Sequence, residues 1–512
     1  MTASQEQQTE RTQSPDSRPG AVTSAADEAG QRMELTDAHA GTRMIRNPGR
    51  TLSKNSVLAL MCGVVAMTVV DLSVVNVALP AIQASLHAKA ADLQWVVVIY
   101  GVAVAGFLML GGRTGDLAGH RKVLVTGIGV LTVASLAGGL SGTLGFLIAA
   151  RAGQGFGAAL AAPNALAILT RTFAEGPERN HALGIFGAAG GTAAIAGSIF
   201  GGLLVQGPGW HWVFFLNVPL GAVLAGLVLA RVPVDNPRPS RAKSDVGGAV
   251  TLTAGLVAAT LGVHESISAG WLSAQTLVPL LGGLGLLGAF AVIEGHVAAP
   301  LIPLTTLRRR SLVSANLAAG LLWASFLGLI YEATLFTQQV LHYPPLAAGS
   351  ATIPIAVLSL SISAKVAPRV ITRIGAARTL AIGMVLLGAG LLLLTRVPTN
   401  ASYLADIFPA FSTVGVGLGF AEVAIQIAAF TGVDEAEAGL AGGAVETSRE
   451  MGGALGLALL VSFALGGTAN GTEAFHRSVL AAAIFAAASA LAAITLLRPT
   501  ERIAATGVPQ PC

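Results

Sequence analysis

Two ionisable residues of opposite charge lie inside long apolar segments of this 512-residue sequence. Arg151 interrupts LGFLIAARAGQGFGAALAAPNALAIL, and Asp71 interrupts VVDLSVVNVALP. A charge in such a segment costs at least about 2.5 kcal/mol in a membrane unless it is paired or hydrated. An acid that takes up and releases a proton beside a fixed cation is the chemistry that a proton-coupled carrier requires. The alternatives are a purely structural ion pair and an arginine that reaches water from a helix end.

The elements that must position this pair are membrane-spanning helices. At a rise of about 1.5 Å per residue, Asp71 lies about 21 Å from the beginning of a helix that starts near Val57. Arg151 lies about 10 Å from the beginning of a helix that runs the opposite way, and so about 20 Å from the same face of an apolar core about 30 Å thick. Because the two depths match, we predict that the residues pair and that pairing lowers the cost of both charges.

The composition is that of a polytopic membrane protein. Hydrophobic residues make up 53% of the chain, charged residues only 11%, and the mean hydropathy is +0.70, whereas a soluble domain has about 25% charged residues. The lysines and arginines are scattered in short groups, which argues against nucleic acid as a partner. Cys62 and Cys512 provide no disulfide framework, and we expect neither a metal site nor a cofactor.

Fourteen apolar segments follow a polar N-terminal stretch, which predicts an all-α polytopic fold. Residues 1–55 predict a disordered cytoplasmic tail, and residues 498–512 predict a second cytoplasmic tail. Both termini are placed on the cytoplasmic side of the cell membrane, where lysines and arginines concentrate in the links between spans. With this orientation, only Lys89, Arg396 and Arg477 fall in the links on the other side. The predicted spans are 56–80, 93–112, 121–141, 144–169, 181–206, 211–231, 246–265, 274–294, 312–341, 346–367, 376–395, 402–430, 438–466 and 476–497.

One loop occurs twice in the chain. Three of its positions correspond at a constant offset of 256 residues: Arg113 with Arg369, Gly119 with Gly375 and Lys122 with Arg378. Equivalent loops eight spans apart predict a 6 + 2 + 6 organisation. It consists of an N-terminal six-helix bundle (56–231), two inserted helices (246–294) and a C-terminal six-helix bundle (312–497), and paired halves of this kind enclose the substrate site in many transporters.

The first copy of this loop predicts a conformational latch. Asp116 is its single acid and can pair with a neighbouring arginine or cap the next helix, in a contact that breaks when the halves rock. A plain tight turn is the alternative. The residues assigned to the latch are Gly112, Arg113, Asp116, Gly119, Arg121 and Lys122.

Other polar side chains inside the spans are candidates for a transport pathway. Glu332 and Glu422 are candidates for additional proton sites or for contacts with a cationic substrate, unless they lie at span boundaries. The candidate lining residues are Asn76, Gln154, Asn164, Gln338, Gln339 and Gln426.

These segments resemble the major facilitator superfamily, and specifically its fourteen-helix drug:proton antiporters, over roughly residues 55–497. Asp71–Pro80 resembles the family's first-helix motif, Gly112–Lys122 its loop motif after helix two, and Arg151–Gly155 its helix-four motif associated with proton coupling. The antiporter motif of helix five is matched at Gly197, Ser198, Gly201 and Gly202.

The chain departs from the family pattern at several of these positions. Ser198 replaces a common proline, which implies a weaker bend in helix five. His211 replaces a common arginine, Glu446 replaces a common asparagine, and Glu422 is not expected at its position. These departures leave the substrate and the details of coupling open.

The resemblance implies a proton-coupled antiporter that exports small, largely hydrophobic drugs or antibiotics from the cytoplasm by alternating access. Its partners would be the substrate, protons and membrane lipid, and we expect a monomer. A dedicated exporter of one endogenous metabolite or osmolyte is the alternative. A membrane-embedded transferase is less favoured, because the loops are short and contain no H-E-x-x-H, G-x-S-x-G or G-x-x-x-x-G-K motif. We therefore expect no enzymatic activity.

Overall fold

The computed structural model describes residues 53–174, 176–235, 245–297, 309–431, 433, 438–465 and 471–496. These residues form fourteen helices that are long and apolar enough to cross a membrane, and the predicted all-helical, fourteen-span fold is confirmed. The two predicted tails lie outside the described residues, except for residues 53–55. Ser53 caps the first helix by accepting a hydrogen bond from the backbone N–H of Ser56 at 3.3 Å, so the helix begins at Lys54.

The spanning helices are numbered in chain order. They are α1 Lys54–Leu86, α2 Ala90–Ala118, α3 His120–Gly139, α4 Leu144–Thr172, α5 Pro177–Gln206, α6 His211–Arg231, α7 Val246–Ala269, α8 Ala274–His296, α9 Arg310–Val340, α10 Pro345–Ile374, α11 Ala376–Leu394, α12 Tyr403–Phe430, α13 Ala438–Leu465 and α14 Gly471–Leu496.

The latch segment is more helical than the sequence predicts. The predicted loop Gly112–Lys122 is wrong over most of its length, because α2 continues to Ala118, α3 begins at His120, and Gly119 alone links them with φ +100°. The repeated segment behaves in the same way: α10 ends at Ile374 and α11 begins at Ala376, so the offset of 256 residues holds for the helix ends. A positive φ is accessible to glycine at little cost, so one residue suffices for the turn.

The packing follows the same repeat. Contacts of α1 with α5, of α2 with α4 and of α3 with α4 recur eight helices later, between α9 and α13, α10 and α12, and α11 and α12. The most extensive contacts between these two groups of helices are those of α2 with α13 and of α5 with α10. The remaining two helices pack on each other, and α7 also packs on α2 and α13.

Glycines allow the helices to approach closely. A Cβ atom on Gly157 of α4 would lie 2.6 Å from the backbone nitrogen of Leu131 in α3, and one on Gly383 of α11 would lie 2.7 Å from that of Ala421 in α12. Real Cβ atoms do not come this close to backbone, so no larger residue fits at either position without moving a helix. Small residues serve this purpose at helix interfaces in membranes.

The two ends of the bundle differ in chemistry. The end at which α1, α3 and α5 begin carries basic side chains such as Lys54, Arg121 and Arg171, and is called the basic end below. At the opposite end, α1 and α9 are joined by hydrogen bonds from Gln338 and Gln339.

Candidate functional site

Asp71 of α1 and Arg151 of α4 form an ion pair inside the N-terminal group of helices. The Arg151 Nη1 atom lies 2.6 Å from Asp71 Oδ2, and both side chains are 0% exposed. The two residues that the sequence places at the same depth are therefore in direct contact in the structure. The pairing of two charges at this depth offsets part of the cost of removing them from water.

Neutral side chains complete the bonding of the carboxylate. Gln154 Nε2 donates to Asp71 Oδ1 at 2.8 Å and to Ser135 Oγ at 2.7 Å, while its Oε1 accepts from Arg151 Nη1 at 3.0 Å. Asn217 Nδ2 donates to the same Asp71 Oδ1 atom at 2.5 Å. The carboxylate therefore has three donors, contributed by α4 and α6.

The guanidinium is held by α2 as well as by Asp71. Its Nε donates to the carbonyl of Val96 at 2.8 Å, and its Cζ lies 4.4 Å from the ring centroid of Tyr100. Arginine can be held in this way because its planar fork donates in several directions and stacks on aromatic rings. These contacts hold the guanidinium through Nε, Nη1 and its planar face, while its Nη2 atom is enclosed and has no partner among the described residues.

The predicted latch residues take part in a separate network at the basic end. Asp116 Oδ1 lies 3.4 Å from Arg171 Nη2 of α4 and 3.3 Å from His120 Nε2, so the acid does have an arginine partner. The carboxylate of Asp235 accepts from the backbone N–H groups of His120 and Arg121 at 2.6 and 3.3 Å and caps α3. These contacts lie within the N-terminal group of helices.

The glycines and basic residues of the latch have different surroundings. A Cβ atom on Gly112 would lie 3.7 Å from Cβ of Pro163 in α4, which is ordinary van der Waals contact. The Nε atoms of Arg113 and Arg121 are enclosed and have no partner among the described residues. Lys122, at the start of α3, is exposed.

Two asparagines that the sequence assigns to the pathway lie outside the Asp71 network. Asn164 binds the carbonyls of Gly111 and Leu160 at 2.9 and 2.8 Å, and its Oδ1 lies 2.7 Å from His120 Nδ1, so it belongs to the basic-end network. Asn76 donates to the carbonyl of Leu72 in its own helix at 3.0 Å.

Gln338, Gln339 and the helix-five motif lie where the two groups of helices meet at the opposite end. Gln338 Nε2 donates to the carbonyl of Val77 at 3.0 Å, and Gln339 Nε2 donates to Gln83 Oε1 at 2.7 Å. In α5, Gly197 and Gly201 face α1, whereas Gly202 and the carbonyl of Ser198 face α10. The motif thus serves two interfaces, on two adjacent stripes of one helix.

Glu422 lies in a polar group among α9, α12 and α13. Its Oε1 accepts from Trp323 Nε1 at 3.0 Å and lies 3.5 Å from Arg449 Nη2. Arg449 also pairs with Glu446 at 3.0 Å and lies over the Trp323 ring.

Glu450 of α13 is one residue further than Arg449 and faces Gly101 of α2. Gln426 is half-buried one turn along α12. The group combines three acids, one cation and an aromatic ring.

Glu332 lies apart from both polar groups. Its side chain is 6% exposed, and it forms no hydrogen bond or ion pair in the described part of the chain. Ser325 and Gly328 share its stripe on α9 and contact α14 and α13, so Glu332 points into the C-terminal group of helices.

Sequence reasoning missed several of these residues. Asn217 carries a weak signal, because it is a polar residue within the apolar stretch VFFLNVPLG. Ser135 and Tyr100 carry none, since small hydroxyls and tyrosines are common in membrane helices. Asp235 was missed because its role depends on the position of the α3 N-terminus, to which it is distant in sequence.

Replacing Asp116 by Asn is expected to slow transport without reducing the amount of folded protein. The Asp116 side chain is 58% exposed and completes no core, and an exposed ion pair contributes about 1 kcal/mol at most, which corresponds to about a fivefold change in rate. Efflux rates in proteoliposomes measure the effect. Glu178→Gln, which removes the exposed Lys54–Glu178 pair at the same end, is the control. An unchanged rate for Asp116→Asn would show that Asp116 is not part of a latch.

Comparisons with known proteins agree with this architecture. Residues 61–457 match a family model described as Major Facilitator Superfamily. The chain is 37% identical over 462 residues to a cephamycin export protein of Amycolatopsis lactamdurans, covering 90% of this chain and 95% of that protein. It is also 37% identical over 410 residues to a puromycin resistance protein of Streptomyces alboniger, covering 79% of this chain and 80% of that protein.

A solved structure shares the fold. A crystal structure of a nucleoside transporter superposes with a TM-score of 0.61 at 14% identity, over 86% of this chain and 100% of that chain. At this level of identity the likeness concerns the fold alone.

Proposed function

Because the chain belongs to the Major Facilitator Superfamily and is homologous to antibiotic and drug exporters, we propose that it exports small, largely hydrophobic drugs or antibiotics in exchange for protons. Membership of this family makes it a multi-pass membrane transporter and not an enzyme. The proposal places the protein in the plasma membrane with its basic end facing the cytoplasm, because positively charged links are retained on the cytoplasmic side. Both termini then lie in the cytoplasm. We further propose a monomer surrounded by lipid.

The observation that carries proton coupling is the enclosed Asp71–Arg151 pair. In the proposed cycle, Arg151 keeps Asp71 ionised until a proton arrives from the more acidic outer side. Protonation neutralises the carboxylate and releases Arg151 from the ion pair, which favours the state open to the cytoplasm. A cationic or polar substrate that enters from the cytoplasm then helps to displace the proton. A proton can shift the equilibrium between the two states only if it changes an interaction that differs between them. The Asp71–Arg151 ion pair is proposed to be that interaction.

The repeat supports alternating access between the halves 56–231 and 312–497. In the structure these halves meet at the opposite end through Gln339 and Gln83, and through Gly202 and Leu346. A bundle joined there is the arrangement expected of the cytoplasm-facing state. The inserted pair 246–294 would remain peripheral, because α8 is the least buried of the described spans.

The polar group around Glu422 is our candidate contact for the substrate. Two carboxylates, those of Glu422 and Glu446, share Arg449 in this group, which leaves an excess of negative charge beside the Trp323 ring. Such a group favours a substrate that carries a cation next to an apolar body. An uncharged metabolite would gain little from it, which favours drug export over the dedicated metabolite exporter.

A susceptibility panel in a pump-deficient bacterial host tests this function. Expression of the wild type should raise the inhibitory concentration of several amphipathic antibiotics, and Asp71→Asn should remove that protection. Glu422→Gln should lose protection against cationic compounds while keeping protection against neutral ones, because it removes charge and not the pathway. Protection against no compound in the panel would instead favour export of one endogenous metabolite.

A further inference from the structure

Asn217 is the amide of the Asp71 network that has an unused hydrogen-bonding group. Asn217 is fully buried, and its Nδ2 donates to Asp71 Oδ1 at 2.5 Å. Its Oδ1 atom is enclosed and has no partner among the described residues. An enclosed acceptor without a donor costs about 1–3 kcal/mol, so this amide is not optimised for the ionised pair alone.

Gln154, the other amide in the network, is bonded at both ends. Its Nε2 donates to Asp71 and Ser135, and its Oε1 accepts from Arg151. If Gln154 turned over, its hydrogen bonds to Asp71 and Arg151 would both be lost, because an ionised carboxylate cannot donate and a guanidinium cannot accept. Asn217 would lose only one, so it is the amide of this network that can turn.

The backbone around Asn217 is also less regular than that around Gln154. The backbone of α6 remains helical at Leu216, with φ −54° and ψ −38°. Pro219 has no N–H group and cannot donate to the carbonyl of Phe215, so one hydrogen bond of the helix is missing beside Asn217. No proline lies within four residues of Gln154 in α4.

We propose that Asn217 is a positioning residue that binds Asp71 in both of its protonation states by turning its side-chain amide. In the ionised state Nδ2 donates to the carboxylate, as in the structure. When a proton from water binds Asp71 Oδ1, the new O–H group needs an acceptor, and the turned amide offers Oδ1. No covalent bond other than O–H forms or breaks, and the proton later returns to water on the cytoplasmic side. This inference rests on the proposed function.

The ionisable groups near Asp71 are few. Arg151 faces it from α4, and Tyr100 lies beside Arg151 on α2. Glu450 of α13 faces Gly101, next to Tyr100, and Tyr331 of α9 shares an apolar cluster with Val74 of α1. His211 lies at the start of α6, at the opposite end. The ionisable residues Glu178, Arg179 and His181 of α5 lie at its start, at the basic end. A change in pH dependence on substitution of Asn217 would therefore report on Asp71.

Three variants of Asn217 separate the donor from the acceptor. Asn217→Ser keeps a hydroxyl that can donate or accept and should retain pH-driven efflux. Asn217→Leu has neither and should slow efflux about tenfold while equilibrium binding of the substrate is unchanged. Asn217→Asp removes the donor and adds a like charge, so the midpoint of the pH profile should move upward by about one unit, a tenfold change in proton concentration.

The readout is the pH profile of substrate efflux from proteoliposomes, with substrate binding as the measure of folded protein. Asn316→Leu makes the same change at an amide of α9 outside the network and is the control. A wild-type pH profile for Asn217→Asp would overturn the proposal, as would a loss in Asn217→Ser equal to that in Asn217→Leu. If Asn217→Leu does not fold, the serine and aspartate variants decide.

The outcome is distinguishable from failure of the proposed function. If Asp71→Asn keeps full pH-driven efflux, the coupling site itself is misplaced, and the role of Asn217 falls with it. If Asp71→Asn abolishes coupling and the Asn217 variants behave as the wild type, only this inference fails.

Discussion

Asp71→Asn is expected to abolish substrate efflux driven by an imposed pH gradient, with a loss of at least about 100-fold, equivalent to about 3 kcal/mol. Asparagine has nearly the shape of aspartate and still accepts from Arg151, but it cannot exchange a proton. The arginine would then face a neutral partner in every state. Proton uptake would no longer change the interactions that distinguish the two states.

Substitutions of Arg151 test the other half of the pair. Arg151→Ala should also lose coupling, because it leaves Asp71 enclosed with only the neutral donors Gln154 and Asn217, and removal of one partner of a buried pair costs about 3–5 kcal/mol. Arg151→Lys should retain part of the activity. Lysine keeps the charge but loses the fork that also reaches the carbonyl of Val96.

The measurement for both positions is efflux from proteoliposomes under an imposed pH gradient. Asp406→Asn, the same chemical change at a half-buried acid in the first turn of α12, is the control and should transport at the wild-type rate. Full pH-driven transport by both Asp71→Asn and Arg151→Ala would rule out this coupling site. Proton coupling would then have to reside at Glu332 or Glu422.

Gly202→Ala is expected to reduce the transport rate about tenfold or more, because overpacking costs about 1–3 kcal/mol. A Cβ atom at this position would lie 2.5 Å from Cα and 2.9 Å from the backbone nitrogen of Leu346. Backbone cannot move aside as a flexible side chain can, so α5 and α10 must separate at the opposite end. The bundle would then favour the state open at that end.

Gly187→Ala is the matched control for Gly202→Ala. It lies in the same helix, and a Cβ atom there meets no atom within 4 Å. Both variants gain the same helix propensity, about 1 kcal/mol, so only the steric term differs. Efflux rate and labelling of a cysteine introduced at Gln83 by a membrane-impermeant reagent measure the effect. Equal rates and equal labelling in the two variants would show that the contact at Gly202 does not close the bundle.

The sequence by itself determined the fourteen spans, because hydropathy is a local property of each segment. It also determined the repeat, which reappears in the paired helix ends at Ala118 and Ile374. It brought Asp71 and Arg151 together as well, since helix rise and direction convert residue number into depth. Depth is only one of three coordinates, but it was sufficient to predict this pair because charged residues are rare in the apolar layer.

Tertiary structure decided which neutral side chains join the pair and what the glycines do. Asn164 and Gln154 both read as polar lining on α4, yet one binds His120 at the basic end and the other binds Asp71. Gly112–Ala118 reads as a loop, yet it extends α2 against its neighbours. Asn217 reaches Asp71 across 146 positions of sequence. Such choices depend on the rotation of each helix about its axis and on which helices are neighbours, and residue type and spacing within one segment specify neither.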